Sequence, residues 1–437
     1  MTKRRKRLPI ISRVQALNYR CLHYIDQPLQ PFQILVGANA TGKSAFLDVM
    51  GLLGDFLKLG LEDALLIREK PGESRGRATE SSELIFNQAS DRFELAIELN
   101  VPDFVQQSVT NGKTKRARYA VSIGENGKEG ELTILGETLW LSSEEMEDTP
   151  PQQVMLFPME PTPPETLMTT SGRRTAGWRK VVTKTDTGND TFYSETTKWN
   201  NVFRVGPRKA ALANLPEDSE KFPVSIWIRN LLMNNIQTLA LNSAMMRRPC
   251  SPSLPRTFRM DGSNLPLVVQ ELDKKNPETC REWLDHVRTV LPDVQKIDVV
   301  TRKEDRHLYL AVQYKSGGEP VPSWLLSDGT LRFLALTLLA YLPEHGGVYL
   351  IEEPENGIHP RAIEAVFQSL SSVYDGQVLL ATHSPLMLRL AQLDQILCFA
   401  KNPSGATDIV AGNDHPRLRD WKGQTDLATL YASGVLG

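Results

Sequence analysis

The apolar positions of this chain change their period several times, and each change marks an element. Ile11 to Leu17 alternates apolar and polar residues as a half-buried strand does, and Phe32 to Val36 is a short apolar run that stops at a glycine. Directly after it, Ser44 to Leu59 sets Phe46, Leu47, Val49, Met50, Leu53, Phe56 and Leu57 at helical spacing, so the chain runs strand, loop, helix. Further strand-like runs fall at Leu84 to Phe86, Phe93 to Val101 and Tyr119 to Ile123, whereas Met146 to Thr170 is rich in proline and acid and reads as a loop or an inserted edge element. From about Val224 the helical period returns. Val224 to Leu241, Leu265 to Lys275 and Pro277 to Leu291 are predicted helices, interrupted by the proline-bearing Arg247 to Arg256, and together they predict a compact helical insert.

Two strands, Lys296 to Thr301 and His307 to Gln313, lead into LLSDGTLRFLALTLLAYL, a loop followed by a strongly apolar helix over Leu331 to Tyr341. Beyond it, strand and helix alternate through Val348 to Ile351, Arg361 to Val373, Gln377 to Ala381, Leu386 to Leu393 and Gln395 to Phe399. Such alternation builds a parallel sheet covered by helices, with ligands at the carboxyl ends of its strands. No heptad pattern persists over three or four turns, so a long coiled coil is not predicted.

Length and composition narrow this picture. With 437 residues, 41% hydrophobic and 23% charged, the chain is long enough for two or three domains with a large core. It has no apolar stretch near the roughly 20 residues that cross a bilayer, and MTKRRKRLPII lacks the features of a secretory signal, so a cytoplasmic protein with no membrane partner is expected. Cys21, Cys250, Cys280 and Cys398 lie too far apart for a zinc knuckle or a redox pair. Fifty basic against fifty-two acidic side chains exclude a strongly basic nucleic-acid-binding body, and the cluster from Lys3 to Arg7 reads as a solvated tail.

Four elements carry chemistry. GANATGKS, residues Gly37, Ala38, Asn39, Ala40, Thr41, Gly42, Lys43 and Ser44, matches the phosphate-loop pattern in full, between the strand and helix it requires. Its glycines let the backbone wrap phosphates, Lys43 reaches the terminal phosphates of ATP, Ser44 offers a hydroxyl to Mg2+, and the helix N-terminus favours the anion. The second element is the strand ending in Glu352 and Glu353. Consecutive side chains on a strand point apart, so Glu352 can serve Mg2+ while Glu353 serves the attacking water, although acid pairs at strand ends also occur as solvated turns. The third, Ser327, Asp328, Gly329 and Thr330, would alone be read as a helix cap, and is equally a second phosphate-binding helix start. The fourth, QVLLATHSP, brings His383 to the end of another strand, where a sensor of the γ-phosphate is needed.

In order and spacing these elements resemble the ABC-type ATPase head of the SMC, RecF and OLD group, and more narrowly the prokaryotic AAA15/AAA21 ATPases of anti-phage systems such as PARIS. The resemblance rests on Asn18 to Arg20 (NYR), GANATGKS, LLSDGT, LIEEPENGIHP and LLATHSP, and covers about residues 11 to 101 and 305 to 400. It implies an α/β P-loop NTPase, an ABC-type head with an antiparallel β portion and a helical insert, hydrolysing ATP to ADP and phosphate. Ser327 and Gly329 would act on the γ-phosphate of a second subunit, Glu353 would be the general base, His383 the switch histidine, and Asn356 to His359 the loop that meets the opposite protomer. Glu352 stands where the wider class usually has aspartate, and Asp328 replaces a glycine and brings a negative charge near a phosphate. Gln88 is a candidate for the Q-loop glutamine.

The division that follows is a basic tail over 1–10, the first half of the head over 11–101, an inserted β/helical region over 102–304 and the second half of the head over 305–437. Too few residues follow His383 for a fused TOPRIM nuclease, so any cutting belongs to another polypeptide. The resemblance implies a sensor ATPase of a defence complex, an ATP-sandwiched homo-oligomer of at least two chains controlling an effector in trans, with a TOPRIM nuclease among the candidates and nucleic acid left open as a partner. The competing readings are a RecF-like DNA-repair ATPase and a nucleotide-gated scaffold with little turnover.

Overall fold

The strand Ile11–Tyr19 buries six of its nine residues, the alternation being broken at Ile11–Ser12 and Ala16–Leu17, and it pairs antiparallel on one side with Leu22–Pro28 and on the other with Arg92–Asn100. The turn between the first two is tight enough to hold Asn18 at φ 57° and Arg20 at φ 51°. The sheet continues antiparallel through Arg116–Asn126, Glu131–Ser142, Trp178–Thr185, Asp190–Tyr193 and Asn200–Phe203, giving eight strands. This is a computed structural model, and it describes residues 7–67, 76–108, 114–126, 131–144, 156–169, 177–186, 189–342, 346–418 and 426–436. The chain divides into two units. The first holds the described residues up to 236 with 393–418 and 436; the second holds those of 237–392 and 426–435.

In the first unit, Phe32–Gly37 is buried throughout and pairs in parallel with Ile396–Lys401, which pairs antiparallel with Thr407–Ala411. A strand covered on both faces reads as a continuous apolar run, which is why FQILV shows no alternation. Helix Lys43–Leu59 follows the loop, and every apolar position predicted for it is buried. Buried carboxylates fasten the later strands to the segment that follows them. Glu137 accepts hydrogen bonds from the Tyr119 hydroxyl (2.9 Å) and from the backbone of Ala211 (2.6 Å) and Leu212 (2.8 Å). Glu195 accepts from Val224 N and Ser225 N, both at 2.8 Å, at the start of helix Pro223–Asn230. Burial pushes the pKa of both carboxyls up, and their hydrogen bonds pull it back, as a buried acid requires to remain tolerable.

The second unit pairs Val348–Glu352 in parallel with Gln377–Ala381, so that Glu352 stands opposite Ala381. Helices Asp328–Leu338, Pro360–Ser371, Leu265–Lys275 and Pro277–Val290 surround a core to which buried Trp283 contributes, its indole N–H donating to Thr337 Oγ1 at 3.1 Å. Val294–Thr301, Leu308–Tyr314 and Val321–Pro322 form a separate antiparallel sheet. Among the described residues no helix is long and apolar enough to cross a membrane.

Several sequence expectations need correction. Val224 to Leu241 is not one helix: after Pro223–Asn230 the chain widens into a π-turn over Leu231–Asn235 and becomes a strand over Ile236–Leu239. Two asparagines weaken the helix there, and β-branched Ile236 and Thr238 favour the extended form. Leu84 to Phe86 is not a strand but part of two short 3-10 turns, Ser81–Leu84 and Phe86–Gln88. Of Met146 to Thr170, residues 156–169 contain neither helix nor strand, while 146–155 and 170 lie outside the described residues.

Candidate nucleotide site

The phosphate-loop residues lie in the first unit. Gly37 ends the strand, Ala38, Asn39 and Ala40 form an exposed tip with Ala40 at φ 62°, and Lys43 opens the helix. Gly42 sits at φ 102°, and a Cβ there would lie 2.2 Å from Thr407 Oγ1, so both conformation and space demand glycine. Thr407 Oγ1 donates to Thr41 O (2.9 Å) and Thr41 Oγ1 donates to Ala38 O (2.8 Å), which fixes the loop from outside and within. The Lys43 ammonium donates to Gly37 O and Ala38 O, each at 2.8 Å, so the positive charge is held inside the curve of its own loop. Its side chain is buried, whereas the next residue, Ser44, is exposed. No acid occupies the first turn of the helix, which leaves the positive end of its dipole uncompensated by side-chain charge from that turn.

The NYR turn grips this helix from the side. Asp48 accepts from the Tyr19 hydroxyl (2.6 Å) and pairs with Arg20 (3.2 Å) and Arg77 (2.6 Å), while Arg77 also reaches Asp55 at 2.9 Å. Burial, with Asp48 beside it, pushes the Tyr19 phenol well above its ordinary pKa, so it stays a donor. NYR is part of the motif set that carries the family resemblance. Its work is to hold the helix that carries Lys43 and Ser44.

The acids, the signature and the histidine lie in the second unit. Glu352 is the exposed last residue of its strand. Glu353 follows at φ 46°, a left-handed conformation that costs a non-glycine residue about 1–3 kcal/mol and persists where the surroundings enforce it. Here the Glu353 N–H donates to Ala381 O (2.8 Å), Asn356 N donates back to Glu353 O (3.0 Å), and the Asn356 side-chain amide donates to the Glu353 carboxylate. The left-handed turn takes Glu353 off the strand that Glu352 ends. Glu355, two residues on, accepts from Thr382 Oγ1 (2.6 Å) and His383 N (3.2 Å), binding the acidic turn to the histidine strand.

Ser327 caps helix Asp328–Leu338, its hydroxyl accepting from Thr330 N at 3.1 Å. Gly329 packs against the loop after the acids: a Cβ on it would lie 2.4 Å from Gly357 O. The signature and the segment Asn356 to His359 therefore form one surface, and Ser327, Gly329, Gly357 and His359 line a common open groove of about 750 Å3. The charge of Asp328 is met by Arg247, whose guanidinium stands 2.6 Å from the carboxylate and also donates to Leu326 O at 3.0 and 3.2 Å. Arg247, Glu355, Tyr431 and Thr407 were missed from sequence; only Glu355 had a signal, its place beside the acid pair. Gln88 lies exposed in a 3-10 turn at φ 51°.

A strand-loop-helix with a caged lysine, and a parallel strand pair ending in two acids beside a capped helix, define a P-loop ATPase head. The chain belongs to the AAA21 family, described as "AAA domain, putative AbiEii toxin, Type IV TA system", whose pattern matches residues 32–389. No curated protein matches it in sequence. Among solved structures, the SMC head bound to the C-winged helix domain of ScpA is similar with a TM-score of 0.53 at 14% identity, over 92% of this chain and 98% of that one. An Smc head with an extended coiled coil bound to the C-terminal domain of ScpA, from Pyrococcus furiosus, gives 0.48 at 12% identity, over 92% and 96%. The SMC head domain from Thermotoga maritima gives 0.41 at 10% identity, over 92% and 98%. The first of these likenesses shows the fold, an SMC-head-like α/β ATPase fold, as the motifs had implied.

Proposed function

We propose that this chain binds ATP with Mg2+ and hydrolyses it to ADP and phosphate in a site shared by two copies, and that it serves as the sensor ATPase of a prokaryotic anti-phage complex with an effector in trans. The observation that carries the nucleotide reading is the caged ammonium of Lys43, held by two carbonyls of a loop that opens a helix with no acid in its first turn. A cation stored this way exchanges two neutral acceptors for phosphate oxygens, a stronger, charge-assisted pairing. Ser44 and Glu352 are hard oxygen donors suited to Mg2+, which when bound neutralises phosphate charge and polarises the transferred group.

Glu353 takes the proton of the attacking water as its oxygen bonds to the γ-phosphorus and the bond to the β–γ bridging oxygen breaks; the proton then passes to solvent. His383 holds a γ-phosphate oxygen. Ser327 and Gly329 serve the nucleotide of the second copy, because two helix N-termini can converge on one phosphate only from opposite sides. The family description, which names a toxin of a toxin–antitoxin system, supports a role in defence. The test is ATP binding and turnover of Lys43→Ala. Loss of both in a folded chain is expected, and turnover near wild type would overturn the site.

A further inference from the structure

The structure assigns to Tyr431, in the helix Leu427–Ala432, the positioning of His383 so that Nε2 is its donor toward phosphate. This deepens the ATPase reading above and rests on it.

The Tyr431 hydroxyl lies 2.7 Å from His383 Nδ1, with the two rings tilted at 48° and 6.4 Å apart. The contact is built from both sides. On the histidine side, Ser384 caps helix Pro385–Leu390 immediately after His383, and Glu355 accepts the His383 backbone N–H, so the residue enters a fixed turn. On the tyrosine side, Asp426 caps Leu427–Ala432 through Thr429 N (2.8 Å) and Thr429 Oγ1 (2.6 Å), and Arg389 from the neighbouring helix reaches Asp426 at 3.2 Å. Leu427 and Ala428 are buried, so the short helix is docked by its apolar side as well.

A neutral imidazole carries one proton on one of two nitrogens, and the partner of one nitrogen decides what the other can do. Burial, and then the charge of Glu355, raise the pKa of the Tyr431 phenol, which therefore keeps its proton. The second oxygen of Glu355 is buried and accepts no hydrogen bond among the described residues, while the first accepts from Thr382 Oγ1 and His383 N. A protonated phenol donates to a bare Nδ1 and leaves the imidazole proton on Nε2. An Nε2–H can donate to an anionic phosphate oxygen; the other tautomer would present a lone pair to it and repel. Partners that orient the histidine ligands of a metal are worth about 10–100-fold in affinity or activity, and the same order is expected here.

The experiment uses the full chain with 15N-labelled histidines, His383 being assigned by comparison with His383→Gln. In the wild type, Nδ1 should show the shift of an unprotonated ring nitrogen and Nε2 that of a protonated one. In Tyr431→Phe, which keeps the ring and its packing, the two shifts should move toward each other as the tautomers mix. The turnover number for ATP should fall about 10-fold with little change in KM. Unchanged ring shifts in Tyr431→Phe overturn the proposal, and so does a lost tautomer preference with wild-type turnover. A wild-type chain with no ATPase activity at all would instead sink the reading of the site, while the ring shifts would still judge the contact.

Discussion

Replacing Gly329 by alanine tests how closely the signature helix must sit against the loop after the acids. The added Cβ would fall 2.4 Å from Gly357 O, with Gly357 C at 3.6 Å and Ile358 Cα at 3.8 Å; all three are backbone atoms, so no rotamer change relieves the clash. Helix Asp328–Leu338 and the loop must separate by roughly 1 Å before carbon and oxygen reach an ordinary contact distance. Overpacking of this kind costs about 1–3 kcal/mol. For a chain of 437 residues, an unfolding entropy of about 2.1 cal/mol/K per residue means that each kcal/mol lowers the melting temperature by about 1 °C. The catalytic effect should be larger, because a misplacement of about 1 Å at a positioning element can cost on the order of 100-fold in rate. The Lys43 loop belongs to the other unit, so affinity for ATP should hold. Thermal melting, binding of a fluorescent ATP analogue and steady-state turnover separate these effects. A Gly329→Ala protein with the wild-type melting temperature and turnover would refute the reasoning.

Other expectations follow from single contacts. Arg247→Met should lower turnover by exposing the phosphate to the uncompensated charge of Asp328, and Asp328→Asn in the same chain should restore it; equal losses in the single and double variants would show that Arg247 acts only through Leu326 O. Thr407→Val removes the hydroxyl that holds Thr41 O, and should cost about 1–3 kcal/mol in denaturant unfolding and weaken ATP binding; a neutral result would mean the loop keeps its shape unaided. Mixing Lys43→Ala with Ser327→Arg, each inactive alone and shown to exchange subunits, should recover part of the activity, since one of the two sites in a mixed pair is intact. Absence of rescue would favour a self-contained site.

The parts legible in the sequence are those where local pattern and chemistry coincide. Phe32–Gly37, the phosphate loop and Lys43–Leu59 announce themselves because a strand, a glycine loop and an amphipathic helix are each written within a few residues. Gln377–Ala381 and Leu265–Lys275 were predicted with their observed limits for the same reason. What was lost depends on partners. Leu22–Pro28, Glu131–Ser142 and Trp178–Thr185 are strands because neighbours in the eight-stranded sheet accept them, while their own sequences mix charges with apolar residues. Arg247 reaches Asp328 and Tyr431 reaches His383 across long stretches of chain, and no spacing rule reports such a contact. The charge that Asp328 brings to its helix start is balanced by Arg247, 81 residues earlier in the chain.

The measurement that bears most directly on the ATPase reading is made on Glu353→Gln. The backbone of Glu353 is held in a left-handed turn by its N–H to Ala381 O, its carboxylate accepts from the Asn356 amide, and an amide of the same shape can keep its place without accepting a proton. The account predicts that this variant binds ATP as the wild type does, assembles with it, and retains it unhydrolysed. Normal turnover by Glu353→Gln, above all if Glu352→Gln were the inactive one, would contradict the roles assigned to the two acids.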